Sequence, residues 1–344
     1  MVTLHSEHLA FQDAIKTNDY FFQKGWTDGL PIIPPTPELV EQMLNQVQLK
    51  GSEVIGSIPE RNRVITAEKL AINAVMAGCL PIYMPVVLAA MEAVLDPVFG
   101  VHGPTASTGG AGIFIIVNGP ITKQIGLNSG KRLLNSNNRA NATIGRAIML
   151  TLHNAGGSNE FDQSTIGHPG KISFVMAEQE RDGWIPYHVE MGFTKEDNTV
   201  TVFAAEAPNQ INNHVADTPE GILDSVAERM TALATFHMQR DTQCAVILCP
   251  EHMTTIIENG WNKQMVKDYL FKKARREKND LFRFGLLLES VESHEVITAV
   301  PSVDDLIVLT GGGPAGRFSS LLPGWGSINQ TRAITRRIVQ SGFT

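Results

Sequence analysis

Cysteine is scarce in this chain, with three in 344 residues. Cys79, Cys244 and Cys249 are too few for a disulfide framework, and none belongs to a C-x-x-C pair, so the thiols suit a reducing compartment, the cytoplasm. Long apolar runs are lacking too. The longest, at residues 80–95, is interrupted by Pro81, Pro85 and Glu92 and is too short to cross a bilayer. The first 22 residues lack the basic start and apolar centre of a secretory signal, and neither end carries a lipidation motif. These absences exclude a membrane partner. Positive charge is also in deficit, with 28 Lys and Arg against 35 Asp and Glu, which argues against a nucleic-acid partner because phosphate binding needs a basic face. The one basic cluster, Lys272, Lys273, Arg275 and Arg276, is followed by Glu277 and Asp280 and reads as a solvated helix face. No fixed-period repeat and no low-complexity tract is present.

What remains is globular in composition, 43% hydrophobic and 18% charged, and long enough for one large or two intimately packed domains. Apolar spacing predicts a helix over 8–24, stopped at Gly25. Four prolines at 31, 34, 35 and 37 then forbid both a helix interior and a central strand. With Trp26, Leu30, Ile32 and Ile33, that stretch reads as an extended strap docked on a core. Helices are expected after Thr36, after Thr66, over 84–95, over 139–153, over 219–237 behind Thr218, from Pro250, and over 262–276. Strands are expected over 53–56, 113–117, 172–177, 199–204, 244–248 and 306–309. The alternation predicts an α/β fold: a mixed sheet covered by helices, with an N-terminal helical and proline-rich strap and some antiparallel pairing around 172–204. The portions expected are 1–50, 51–212 and 213–344, the last two either separate or one intimate unit.

Five groups of residues could carry chemistry. The loop 101–110 combines His102, Thr105, Ser107 and Thr108 with glycines that let a ligand approach backbone N–H groups. The segment 128–143 is dense in amides and cations. There Asn138, Arg139 and Asn141 at a helix start would orient a carboxylate or phosphate, with Lys131, Arg132 and Arg146 nearby. Gly311, Gly312, Gly313 and Arg317 follow a strand and form a ligand-approach loop, expected to lead into a turn of helix; it is neither a Walker loop nor a dinucleotide fingerprint. Among the histidines, His102 and His168 are candidate acid or base groups, with His188 and His214 also in loops and Glu178, Glu180 and Glu190 as possible carboxylate partners. Cys79 stands at a helix end before Leu80 and Pro81 and is either a buried structural thiol or a nucleophile; Cys244 and Cys249 read as packing residues of an apolar strand. The alternative to each loop site is an ordinary solvated connector.

Several strings together resemble a known family. They are Trp26-Thr27-Asp28-Gly29-Leu30-Pro31, Ala74-Val75-Met76-Ala77-Gly78-Cys79-Leu80-Pro81, Val117-Asn118-Gly119-Pro120, Asn138-Arg139-Ala140-Asn141-Ala142-Thr143-Ile144-Gly145-Arg146 and Gly167-His168-Pro169-Gly170-Lys171. Over about 20–340 the chain resembles a bacterial family associated with selenoproteins that carry a selenocysteine-Gly-Ser-Cys (UGSC-type) motif. The resemblance implies a link to thiol or selenol redox chemistry. This chain contains no Gly-Ser-Cys, so a module of that kind would belong to another chain, and no catalytic residue is carried over.

The expectation is an enzyme acting on a small anionic polar metabolite. The loops at 102–110 and 311–319 would face one cavity, with His102 or His168 moving protons and Cys79 as the candidate for redox or nucleophilic chemistry. Two alternatives stay open: a non-catalytic partner of a separate thiol or selenol protein, and a metal-dependent hydrolase or lyase if folding gathers the histidines. No cofactor is identified and no metal ligands are assigned. The expected partners are a small-molecule ligand and further copies of the chain.

Overall fold

A computed structural model describes residues 3–135, 137–290 and 295–340; the outermost residues of the expected portions 1–50 and 213–344 lie outside them. The fold is α/β. Eight of its strands form two four-stranded mixed sheets rather than one, and the other four form two small antiparallel pairs, Val54–Ile58 with Arg63–Thr66 and Arg275–Glu277 with Val296–Thr298. The first has the order Ile334–Arg337, Thr199–Ala205, Gly112–Asn118, Val175–Ala177; its last two strands are parallel and its other pairings antiparallel. The second has the order Leu306–Thr310, Cys244–Leu248, Phe318–Pro323, Asn209–Asn212, again with one parallel pair, formed by its first two strands.

The sheets lie face to face. Period-two alternation sends Phe114 and Ile116 of the first sheet, and Ala245, Ile247, Ile307 and Leu309 of the second, into one shared apolar layer. The neighbouring positions turn outward. Ile113, Ile115 and Val117 pack beneath the helices Pro37–Val47, Ala67–Ala77, Met84–Val94 and Arg139–Asn154. Val246, Leu248 and Val308 pack beneath Pro219–Met230, Pro250–Glu258 and Lys263–Lys273. The result is four layers: helices, sheet, sheet, helices.

This arrangement revises the expected portions. Strand Asn209–Asn212 already belongs to the second sheet, and Ile334–Arg337 returns to complete the first, so no cut near residue 212 separates two units. Strand Thr199–Ala205 also runs on to meet the second sheet, through the Ala205–Gly324 bridge and a hydrogen bond from Trp325 N–H to Ala204.

The N-terminal helix is shorter than expected, Ala14–Gln23. Asp13 caps it by accepting from the Lys16 N–H, and residues 7–11 are neither helix nor strand. The helix expected over 219–237 breaks at Met230. Ala234, a non-glycine in the left-handed region (φ 64°), sends the chain into a separate short turn, Phe236–Gln239. The proline strap is docked as expected. Arg146 holds Asp28 through two N–H bonds of 2.7 and 2.8 Å and reaches the carbonyl of Pro31, while Ile33 N–H donates to Met76. Among the described residues no helix is long and apolar enough to cross a membrane.

Candidate functional site

Both parallel strand pairs finish at the same end of the sandwich. Gln179 N–H donates to Thr310 and Gly312 N–H to Ser129, so the ends of Val175–Ala177 and Leu306–Thr310 adjoin. The carboxyl ends of parallel strands are where α/β proteins gather ligand groups, because loops and helix N-termini converge there. The opposite end is marked by the pairings of Gly112 with Ala205 and of Pro323 with Cys244.

This polarity separates the two loops expected to share a cavity. The segment 102–110 leads into Gly112 and lies at the amino end, whereas Gly311 follows Thr310 at the carboxyl end. The amino-end residues are engaged in packing. The buried Arg61 guanidinium donates to His102 Nδ1 (3.1 Å), to the His102 carbonyl and to Thr105 Oγ1 (2.5 Å), which ties down the short helix His102–Ala106. Ser107 Oγ accepts from Trp325 Nε1 at 3.2 Å, and the Thr108 carbonyl accepts from Thr165 N–H. The glycines serve close approach: a Cβ on Gly109 would stand 2.7 Å from the Phe236 ring, and one on Gly112 would stand 2.7 Å from His168. His168 is wedged there in an edge-to-face contact with Phe174, and burial pushes its pKa down, which favours the neutral ring.

The amide-rich segment is likewise structural. Asn138 caps the Arg139–Asn154 helix and donates to the Gly126 carbonyl. Buried Asn141 exchanges two bonds with the Asn128 backbone and donates to Val175. Arg139 gives Nε and one terminal N–H to the Gly78 carbonyl, at 3.1 and 3.0 Å, closing the end of the Ala67–Ala77 helix. These side chains were expected to hold a ligand; their hydrogen bonds go to the protein instead. Cys79 is buried beside them. Its thiol lies 3.3 Å from the Thr143 carbonyl, and burial pushes its pKa up to about 12.

At the carboxyl end the structure assembles a group that sequence reasoning passed over. Strand Cys244–Leu248 ends one residue before helix Pro250–Glu258, and that residue is Cys249, at the N-cap in extended geometry with Pro250 at the first helical position. The free N–H groups and dipole of a helix start favour an anion at this point. His252 stands three residues on, the spacing at which a first-turn side chain folds back toward the cap. Its Nε2 lies 3.0 Å from the Asn213 carbonyl, which can only accept, so Nε2 carries a proton. Its Nδ1 lies 2.8 Å from Ser319 Oγ, and Ser319 Oγ accepts the Cys249 N–H at 3.0 Å. Burial alone would raise the Cys249 pKa, but the His252 imidazole and the Ser319 hydroxyl outweigh it, and the thiol is shifted below its ordinary value. Burial would lower the His252 pKa, but the neighbouring sulfur and the Asn213 carbonyl outweigh it, and the imidazole is shifted up. The two shifts together favour a thiolate–imidazolium pair.

The glycine loop covers this pair. It leads into strand Phe318–Pro323 and not into a helix, so the helix N-terminus at the site comes from Pro250–Glu258. Gly312 has φ 121°, a conformation that L side chains rarely adopt, and its missing Cβ would lie 3.5 Å from Pro250. Gly313 lies against the Lys131 side chain. Arg317 bonds the Ala216 carbonyl and lies 3.6 Å from Glu251, whose Oε1 accepts the Gly316 N–H. Gly312, Gly313 and Arg317 are thus brought together, with Cys249 and His252 beneath them.

The remaining acidic candidates serve a second polar cluster. Glu178, fully buried, accepts from Asn118 Nδ2 and the Tyr187 N–H, and burial raises its pKa. Glu190 pairs with Lys263 and Lys267. Among the described residues no group of three His, Cys, Asp or Glu is placed to hold a metal ion. No family model matches this chain, and no curated protein matches it at a significant level.

Proposed function

We propose that this protein is a thiol enzyme in which Cys249 attacks an electrophilic centre of a small anionic metabolite. The observation that carries this reading is the Cys249–His252–Ser319 cluster at a helix N-terminus beneath a glycine loop. The thiolate would attack, forming a sulfur–substrate bond while the substrate's bond to its leaving group breaks, and the proton held on His252 would pass to that leaving group. Water, deprotonated by His252, would then cleave the sulfur–substrate bond and release the Cys249 thiol. The glycine loop would let the substrate approach its backbone, and Lys131 and Arg317 would supply the positive side of the rim. All three cysteines are unpaired, which suits a reducing compartment such as the cytoplasm. The resemblance to the family associated with UGSC-type selenoproteins implies thiol or selenol chemistry as well.

The test is the pH profile of iodoacetamide alkylation, followed cysteine by cysteine by mass spectrometry. Cys249 is expected to titrate below the ordinary thiol value, and His252→Gln is expected to move its midpoint upward because the compensating imidazolium is gone. A Cys249 midpoint at or above the ordinary value, unchanged by His252→Gln, would remove the basis for the proposal.

A further inference from the structure

A second site lies on the other side of the molecule, over the helices that cover the first sheet. Residues 3–12 run there as a segment without helix or strand. Its start is held by buried Glu68, whose carboxylate accepts the N–H groups of His5 (2.9 Å) and Ser6 (2.8 Å). Its far end is held by the Asp13 cap and by the Phe11 ring, 5.1 Å from Tyr20. Between these anchors the segment arches over a cavity of about 1070 Å³. The walls come from several elements: Phe11 from the segment, Phe21 and Trp26 from the first helix and the strap, Val40 from the next helix, and Ile72 and Met76 from the helix Ala67–Ala77.

Size and wall chemistry define the occupant. Small-molecule sites span roughly 300–1,000 Å³ and are lined mainly by apolar and aromatic groups with a few polar ones, and this cavity is just above that range. Most polar groups in the walls spend their hydrogen bonds inside the protein, the exception being Asn154 Oδ1, which is buried without a partner and could accept one N–H or O–H from a ligand. Glu68 is taken by the arching segment, Asn73 donates to the Lys69 carbonyl and accepts from Asn154, and Asn154 also donates to the Trp26 carbonyl. The charges stand at the mouth: Arg63 pairs with Glu160, Lys69 donates to the Ser6 hydroxyl, and Glu7, His8 and Lys69 are exposed to water. The apolar floor therefore carries no free charge to hold a charged ligand. Leu9, Phe11 and Trp26 all line the cavity and each keeps more than a third of its surface exposed, area that an apolar ligand would cover.

We infer that this cavity is a binding site for an uncharged, largely apolar small molecule, with residues 3–12 as its cover. The site is separate from the Cys249 cluster, which lies at the carboxyl end of the second sheet. N-Phenyl-1-naphthylamine, a neutral dye that fluoresces in apolar surroundings, tests this on the full chain. Binding is expected to saturate at one dye per chain, with energy transfer from Trp26 that falls in Trp26→Phe. Met76→Trp fills the cavity from its floor and is expected to weaken binding by about tenfold or more. Ile72→Trp, at a half-buried position, should do the same and covers the case in which Met76→Trp fails to fold. Phe11→Ala should speed dye release. Non-saturating fluorescence that is indifferent to both tryptophan fillers would mean adsorption to scattered apolar surface and would overturn the inference. So would self-association of the chain that displaces the dye, since the occupant would then be a second copy.

Discussion

Cys79 follows the last turn of helix Ala67–Ala77, and Cys249 precedes the first turn of helix Pro250–Glu258. Both are buried, and both stand near a proline at a chain break. The first lies just past a helix carboxyl end, where the dipole opposes negative charge, and its thiol donates to the Thr143 carbonyl of another helix. The second meets a helix amino end, a hydroxyl and an imidazole. The thiol pKa rises to about 12 at one and falls below its ordinary value at the other. Burial disfavours the thiolate at both positions; at Cys249 the imidazole and the hydroxyl outweigh it, and at Cys79 the surrounding groups do not. Cys244, at the start of the strand that leads to Cys249, shows what burial without such a partner does: its pKa is raised well beyond the ordinary range.

The largest expected consequence is in reactivity. A thiol with a pKa of about 12 is ionised at about one part in 10⁵ at pH 7, so native Cys79 should resist alkylation while Cys249 reacts, by a margin of about a hundredfold or more. Comparable rates at the two positions in the folded protein would erase the contrast. Stability should run the other way. Cys79→Ser places a hydroxyl among apolar neighbours and should cost about 1–3 kcal/mol in urea unfolding, whereas Cys249→Ser puts a favoured residue at an N-cap and should cost much less. A larger loss at residue 249 would mean that its cluster serves the fold. A loss at the low end of the Cys79→Ser range is expected at Arg139→Ala, which removes two N–H bonds to the Gly78 carbonyl and should lower stability by about 1 kcal/mol. Cys249 alkylation should be unchanged in that variant; a change would connect two regions that are held here to be independent.

Much of the framework was legible because local chemistry decides it. Thr66 caps its helix through the Lys69 N–H, Gly78 ends the same helix at φ 91°, and Pro250 opens another. The run around Ile113–Val117 reads as a strand covered on both faces, and it is. What covers the second face is not a local property. A strand between helices and a strand between helices and a second sheet have the same residues, and the distinction depends on the packing of Phe114 and Ile116 with Ala245 and Ile247, over a hundred residues away. The amino-end loop was misread for a related reason. Small and hydroxyl residues suit ligand approach and tight packing alike, and Gly109 and Gly112 are small because Phe236 and His168 press on them. Cys249 was placed within an apolar strand, although Pro250 had already been read as the start of a helix. The Cys-Pro-Glu-His order then sets Cys249 at the cap and His252 in the first turn, which is the signal that was present.

The return of strand Ile334–Arg337 to the first sheet bears on how that sheet keeps other chains away. Among the described residues it pairs with Thr199–Ala205 alone, and Arg336 and Arg337 clasp Asp96 and Asp197. Peeled away, it would leave Thr199–Ala205 with a bare row of backbone N–H and C=O groups open to any neighbouring chain. The sheet's guard against mispairing is therefore a single short strand recruited from over a hundred residues away, and loosening it is the change most prone to admit a wrong strand.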